Sequence, residues 1–353
     1  MRPRLIQLGL FNKIRREKVL ENSPTWKRLN LLNTYVEWEM FRPTLEDAFS
    51  NDSANAGGRP RYDCILMFKI LVLKKSYNLS FDEIEFQITD RITFQKFLDI
   101  AANDNVPDSR TIFNFYQKLA GLGLIDELFS SFNGFLEQEN FINYEAAAID
   151  STMVEVPVQR NHREENQTIK EGNIPESWLE DTPQAKHKLA QKDVDARWTK
   201  KHGRSYFGYK DHVKVDLGSK LIMNYEVTPA SVHDSQVCSQ LLDENDKVLY
   251  LDSAYKGESV ESKIPEGIET HICNRAYRGH PLTDAQRAAN HVIAKSRCRI
   301  EHVFGYMTES MNGITIRCIG ITRAKFYIGL SNLVYNMHRY CTLMRIKNAD
   351  LGL

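Results

Sequence analysis

Hydrophobic positions along the chain follow two different spacings. In the first third they recur at helical intervals in short blocks. Ile65, Leu66, Phe68, Ile70, Leu71 and Leu73 form one block, broken at Asn78-Leu79-Ser80. Ser80 followed by Glu83 has the form of a capping box, and the next block carries Phe81, Ile84, Phe86 and Ile88. Phe94, Phe97 and Leu98 mark a third, short helix. Beyond Asn105-Val106-Pro107, Asp108 or Ser109 caps a helix from Arg110 to about Ala120, and Gly121 suits its stop. From Tyr144 the spacing changes to that of strands. Glu145 to Asp150 is short and apolar and ends in an acid. His212 to Asp216 alternates, Leu217-Gly218-Ser219 turns, and Leu221 to Val227 returns, which predicts a β-hairpin. Val248 to Leu251 reads as an interior strand ending at Asp252, and Thr270 to Cys273 as another. Helices are expected from Asp234 to Leu242, from Gly257, from Thr283 to about Met307, and from Thr322 to about Arg345. In the Thr283 helix the core stripe falls on Ile293, Ile300, Phe304 and Met307.

Between the first strand and the hairpin lie residues 155–205, strongly polar, with Ile174, Trp178 and Leu189 as the few core candidates. They read as a long polar excursion. The order is then strand, excursion, hairpin, helix, strand, helix, strand, long helix. That is the ribonuclease-H-like order, an α+β or α/β catalytic domain with a mixed five-stranded sheet, preceded by an all-α domain. The expected division is 1–140 helical, 141–345 catalytic and 346–353 a tail. In that fold the first and fourth strands are neighbours, which sets Asp150 and Asp252 about 5 Å apart, backbone to backbone.

Composition narrows the partners. The 353 residues are 42% hydrophobic and 26% charged, enough for a proper core, with a formal net charge of zero. A nucleic-acid surface must therefore come from local segregation of charge. The N-terminus is basic (Arg2, Arg4, Lys13, Arg15, Arg16, Lys18 against Glu17). From Lys192 to Lys214 seven bases meet three acids, with Trp198, Tyr206, Phe207 and Tyr209 interleaved, a mixture suited to phosphate contact and base stacking. Lys200, Lys201, Arg204, Lys210 and His212 belong to this stretch; a solvated hairpin is the plainer account of it. The helix from Arg110, polar at Thr111, Asn114 and Gln117, is a candidate DNA-reading helix of helix-turn-helix type, with Arg110 and Asn114 foremost; an ordinary small helical bundle explains it as well. Six scattered Cys with no C-x-x-C spacing point to reduced thiols, and with no apolar run of membrane length and no export signal the expected location is the cytoplasm.

Asp252 alone is more simply a cap for the next turn. Beside Asp150 it becomes half of a site for a hard divalent cation such as Mg, and a third carboxylate would complete a two-metal clamp at a phosphodiester. Glu301, at the margin of the long helix, is the candidate. Arg297, one turn earlier, is placed to hold Glu301 or to take a phosphate; a surface i, i+4 pair is the plainer reading.

Together these residues resemble a DDE transposase of the insertion-sequence-five family. Gly58-Arg59-Pro60-Arg61-Tyr62-Asp63, Tyr77-Asn78-Leu79-Ser80, Asp90-Arg91 and Val106-Pro107-Asp108 are similar to its helical N-terminal domain. Ile149-Asp150-Ser151-Thr152, Tyr206 to His212, Leu251-Asp252-Ser253-Ala254-Tyr255 and Arg297 to Glu301 with Phe304-Gly305 resemble its catalytic-domain motifs, in order. The resemblance implies that Asp150, Asp252 and Glu301 hold two Mg ions, with Mn able to substitute. It implies cleavage at the terminal inverted repeats of an insertion sequence and transfer of the freed 3′-OH into target DNA, by a homodimer on DNA in a prokaryotic cytoplasm. Two positions depart from the pattern. Ala294 stands where relatives carry Tyr, and Thr308 where they often carry a Lys that touches DNA, a contact that Arg317 is placed to take over. A catalytically silent DNA-binding descendant, a nuclease without strand transfer, and a non-enzymatic helical scaffold are the competing readings.

Overall fold

The computed structural model describes residues 10–50, 61–101, 104–201, 203–313 and 315–350. Arg2, Arg4 and the turn residues 57–60 lie outside them. The N-terminal part is helical: α1 (Leu10–Asn22), α2 (Pro24–Tyr35), α3 (Arg42–Asp47), α4 (Cys64–Ser76), α5 (Phe81–Asp90), α6 (Ile92–Leu98), α7 (Ser109–Gly121) and α8 (Ile125–Gln138). The starts are chemically marked. Asp63 accepts from the N–H groups of Ile65 and Leu66, Ser80 from Glu83 N–H and Asp108 from Thr111 N–H. The expected capping box at Ser80 is only half made, because the side chain of Glu83 bonds Gln87 one turn on.

The rest builds a sheet: β1 (Ala147–Glu155), β2 (Arg197–Lys201), β3 (Arg204–Asp216), β4 (Ile222–Pro229), β5 (Val248–Leu251) and β6 (Glu269–Ile272). Between them come α9 (Arg163–Lys170), α10 (Glu176–Leu179), α11 (Pro183–Ala190), α12 (Asp234–Leu241) and α13 (Glu258–Glu261). Helices α14 (Asp284–Glu309) and α15 (Ile321–Asp350) end the fold. The main path is β4-β3-β1-β5-β6, with β1/β5 and β5/β6 parallel and the others antiparallel, a ribonuclease-H-like sheet. The sheet has six strands rather than the expected five, because β2 pairs the first half of β3.

Residues 155–205 are not the structureless excursion their polarity suggested. Three short helices and β2 fill them, anchored by buried Trp178, Ile169, Ala185 and Ala196. Trp178 Nε1 donates to Glu165 Oε1 at 2.9 Å, and Tyr209 Oη donates to Asp193. Side-chain bonds such as these hold the segment in place, which a hydropathy pattern does not register.

One face of the sheet packs on α12 and α13 through Ala147, Ile149, Val237, Leu241, Leu249, Leu251 and Val260. The other face shares one continuous core with the N-terminal helices. Helix α15 joins them, packing on α2, α4, α7, α8 and β4. Its register is set by buried polar bonds. Asn336 accepts from Ile222 N–H at 2.8 Å and donates to Asn133 Oδ1 at 2.9 Å, while His338 Nε2 lies 3.0 Å from Ser76 Oγ. Each is worth about 1 kcal/mol net, and more if one partner is lost and the other left buried.

Candidate functional site

Strands β1 and β5 run parallel with Ala147 opposite Leu249 and Ala148 opposite Tyr250. Continued two residues, that register brings Asp150 level with Asp252 at the carboxyl ends of adjacent strands. Asp150 points to the face of Ala148, against which α14 lies. The main-chain N–H of Ser151 donates to Asp150 Oδ1 at 2.8 Å. Asp252 is also a cap: its Oδ1 accepts from Ala254 N–H at 2.6 Å and starts a short turn of helix over Ser253–Tyr255.

Helix α14 brings in Arg297 and Glu301. Its buried stripe is Ile293, Ile300, Val303 and Met307; Val303 takes the place expected of Phe304, which is only partly covered. Arg297 does not hold Glu301. Its Nη2 donates to Asp150 Oδ2 at 2.6 Å, with the two side chains 17% and 21% exposed. Glu301, one turn on, is exposed and bonds none of the described residues. Burial pushes the Asp150 carboxyl above the usual carboxylate range, and Asp252 adds to this. Arg297, the Ser151 N–H and Lys201 oppose the rise without cancelling it.

Behind this pair lie groups that the motif reading did not use. Tyr255 is 1% exposed and its hydroxyl has no hydrogen-bond partner among the described residues. Burial, then Asp234, Asp150 and Asp252, drive its ionisation far up. Asp234 accepts from Lys210 Nζ at 2.8 Å, and His212 Nδ1 lies 3.7 Å from it. Tyr255 stood in the Asp252 motif and Asp234 at an expected helix start, but no spacing rule links either to Asp150.

The donors Asp150, Asp252 and Glu301 have the right chemistry for a hard divalent cation. Asp150 and Asp252 stand level on adjacent strands, with Glu301 exposed on α14. Among the described residues no three His, Cys, Asp or Glu side chains are grouped to hold an ion, and Arg297 already takes Asp150 Oδ2.

The expected DNA contacts divide. Trp198 (51% exposed), Lys200, Lys201 and Arg204 stand out on the β2–β3 hairpin, Arg204 paired to Glu155 at 2.9 Å. Arg110 and Asn114 are exposed on α7. Tyr209, Lys210 and His212 are not available to DNA. Tyr209 and His212 are 0% exposed and Lys210 7%, because β3 at this point lies inside the sheet between β1 and β4. Their polarity serves Asp193, Asp234 and Thr228. All six Cys are free thiols.

Residues 143–337 match the family model described as Transposase DDE domain, and residues 16–118 match the one described as Transposase domain (DUF772). No solved structure matches the chain. No helix among the described residues is long and apolar enough to cross a membrane. The first match alone spans more than half of the sequence, and the pair is the combination typical of insertion-sequence-five transposases, so the chain belongs to the DDE transposase family.

Proposed function

We propose that the chain binds the terminal inverted repeats of an insertion sequence and catalyses metal-dependent DNA strand cleavage and strand transfer. The observation that carries the reading is the level placement of Asp150 and Asp252 at the ends of adjacent parallel strands, within a chain whose family is that of DDE transposases. DDE domains generally use divalent metal ions. Asp150, Asp252 and Glu301 are the proposed ligands, with Mg as the ion and Mn able to replace it. In this structure Arg297 must first release Asp150, and Glu301 must turn inward.

The exposed hairpin residues Trp198, Lys200, Lys201 and Arg204 would grip the DNA end, with Lys201 near enough to bear on the charge of Asp150. Arg110 and Asn114 of α7 are the proposed groove contacts, and Arg297, once released, a proposed phosphate contact. The helical part, residues 1–140, is proposed as the end-binding unit and residues 141–345 as the catalytic unit, acting in the cytoplasm as a homodimer on DNA because two ends are cleaved together.

Duplexes carrying the element ends, incubated with the full chain and Mg or Mn, test this. Nicked and joined products are expected. Nicking without joined product would leave a nuclease, and end binding without nicking would leave a DNA-binding protein only.

A further inference from the structure

A cleft of about 760 Å³ opens between α4, α5 and α7 on one side and residues 315–319 with α15 on the other. It spans the two regions that match separate transposase models. Its floor is Lys74, only 8% exposed. Lys74 Nζ lies 4.3 Å from the ring centre of Phe81 and 5.3 Å from that of Tyr327. It has no hydrogen bond or ion pair among the described residues. Lys75, next to it and 1% exposed, shares the Tyr327 ring at 4.6 Å and among the described residues donates only to Gly313 O, at 3.2 Å. Arg317 is exposed at the rim, and Arg323 lies beside it, bonded to Gln117 at 2.8 Å. The one acid in the lining, Glu83, is turned to Gln87.

Buried ammonium groups normally sit against carboxylates. Here two sit side by side without one. Burial holds Lys74 at about 8, and Lys75, with Lys74 adding, at about 7. A main-chain bond ties the edge of the cleft to the end of β1. Ile316 N–H donates to Glu155 O at 3.2 Å, and Glu155 pairs with Arg204. The cleft segment that carries Arg317 is thus joined at Glu155 to the strand pair that carries Arg204, and Lys201 of that pair bears on the charge of Asp150.

We propose that this cleft binds backbone phosphates of DNA, with Lys74 as the floor contact and Arg317 as the rim contact. The proposal rests on the reading of the chain as a DNA-end binder. A phosphate oxygen between them would accept from both cations, and the flanking rings of Phe81 and Tyr327 would keep water out.

Binding of the full chain to an element-end duplex, followed by fluorescence anisotropy across a salt series, tests it. Arg317→Ala and Lys74→Met are each expected to weaken binding several-fold and to flatten the log–log salt slope by about one. Lys200→Ala with Lys201→Ala is run beside them. If that pair weakens binding and the two cleft variants do not, DNA binding stands and the cleft is overturned. If only Arg317→Ala has an effect, Arg317 is a surface contact and the cleft is again overturned. If the wild-type chain binds no duplex, both readings fall. A wild-type readout covers a Lys74→Met chain that does not fold. Acylation of Lys74, followed by mass spectrometry, is expected to drop several-fold when duplex is bound, and equal labelling with and without DNA overturns the proposal.

Discussion

Arg297 on α14 reaches across to Asp150 on β1 and holds its Oδ2 at 2.6 Å. A charge-assisted bond of this kind is worth about 1.5–3 kcal/mol. The guanidinium takes one lone pair of that oxygen and its positive charge repels an ion beside it, so Arg297 and a divalent cation compete for Asp150. Arg297→Gln keeps a polar side chain, two bonds shorter, and removes the charge. The free variant should bind Mn about tenfold more tightly than the wild type, a gain of about 1.4 kcal/mol, read by titration calorimetry. Equal affinities would mean that the pair does not gate the site.

Asp150→Ala and Asp150→Asn separate chemistry from binding. Both should abolish nicking of end DNA, while end affinity stays within about threefold because it rests on phosphate contacts made elsewhere. Asp150→Ala leaves Arg297 half-buried and unpaired, so it should also melt earlier than Asp150→Asn. Nicking by Asp150→Asn in metal-replete buffer would remove Asp150 from the catalytic set.

The hairpin offers a contrast inside one strand pair. Lys200→Ala with Lys201→Ala changes two exposed side chains and should flatten the salt slope of end binding by about two with little change in melting temperature. His212→Ala lies a few residues on, fully buried against Thr228 and Asp234. It should lower the melting temperature, while the slope of the folded fraction stays put. A slope change from His212→Ala would return that residue to the DNA interface.

That contrast shows what a sequence pattern can carry. Strand alternation and helix caps placed β4, β5, β6, α12 and α14 within a few residues, because turn chemistry and apolar period are local, and caught β1, β3 and α15 only in part, since β1 and α15 run about five residues further and β3 begins eight residues earlier. Strand order then made Asp150 and Asp252 neighbours. Two things were not legible. The first is which polar residues are buried: Lys210, Asp211 and His212 read as surface, yet Asp234, Thr228 and Asn332 satisfy them from distant parts of the chain. The second is which partner Arg297 takes. Helical spacing offers Glu301 one turn away, but the half-buried carboxylate of Asp150 is the stronger partner, because the pair is less screened by water than one with an exposed Glu.

Asp211 gives the fold a pH signature. It is 0% exposed, with Oδ1 accepting from Asn332 Nδ2 at 3.1 Å and Oδ2 unpartnered among the described residues. Burial drives its carboxyl up to about 7, opposed only by the Asn332 bond. Between the unfolded value near 3.8 and about 7 the folded chain holds a proton that the unfolded chain has lost. The stability this contributes is fully present below that window and lost as pH rises through it. Asp211→Asn removes the titration and keeps the shape, so its melting temperature should fall less than that of the wild type between pH 5 and pH 8 (round values spanning roughly the upper part of the window). Parallel curves would mean that Asp211 is already ionised in the fold.

Gly208 sits where β3 pairs both Glu155 of β1 and Arg197 of β2, with φ at +151°. A Cβ there would lie 2.1 Å from the carbonyl oxygen of Val154, a main-chain atom that cannot swing aside. Gly208→Ala must therefore push β1 away from β3 just beyond Asp150. Overpacking of this kind costs about 1–3 kcal/mol, and the strained φ adds to it. The displaced segment also carries Glu155, the partner of Arg204. Two effects should appear together: a melting temperature lower by several degrees, and weaker end binding at 25 °C (about the standard condition for such affinities), where the variant is still folded. A lower melting temperature with unchanged end binding would show that the hairpin holds its place without the close approach of β1 to Gly208.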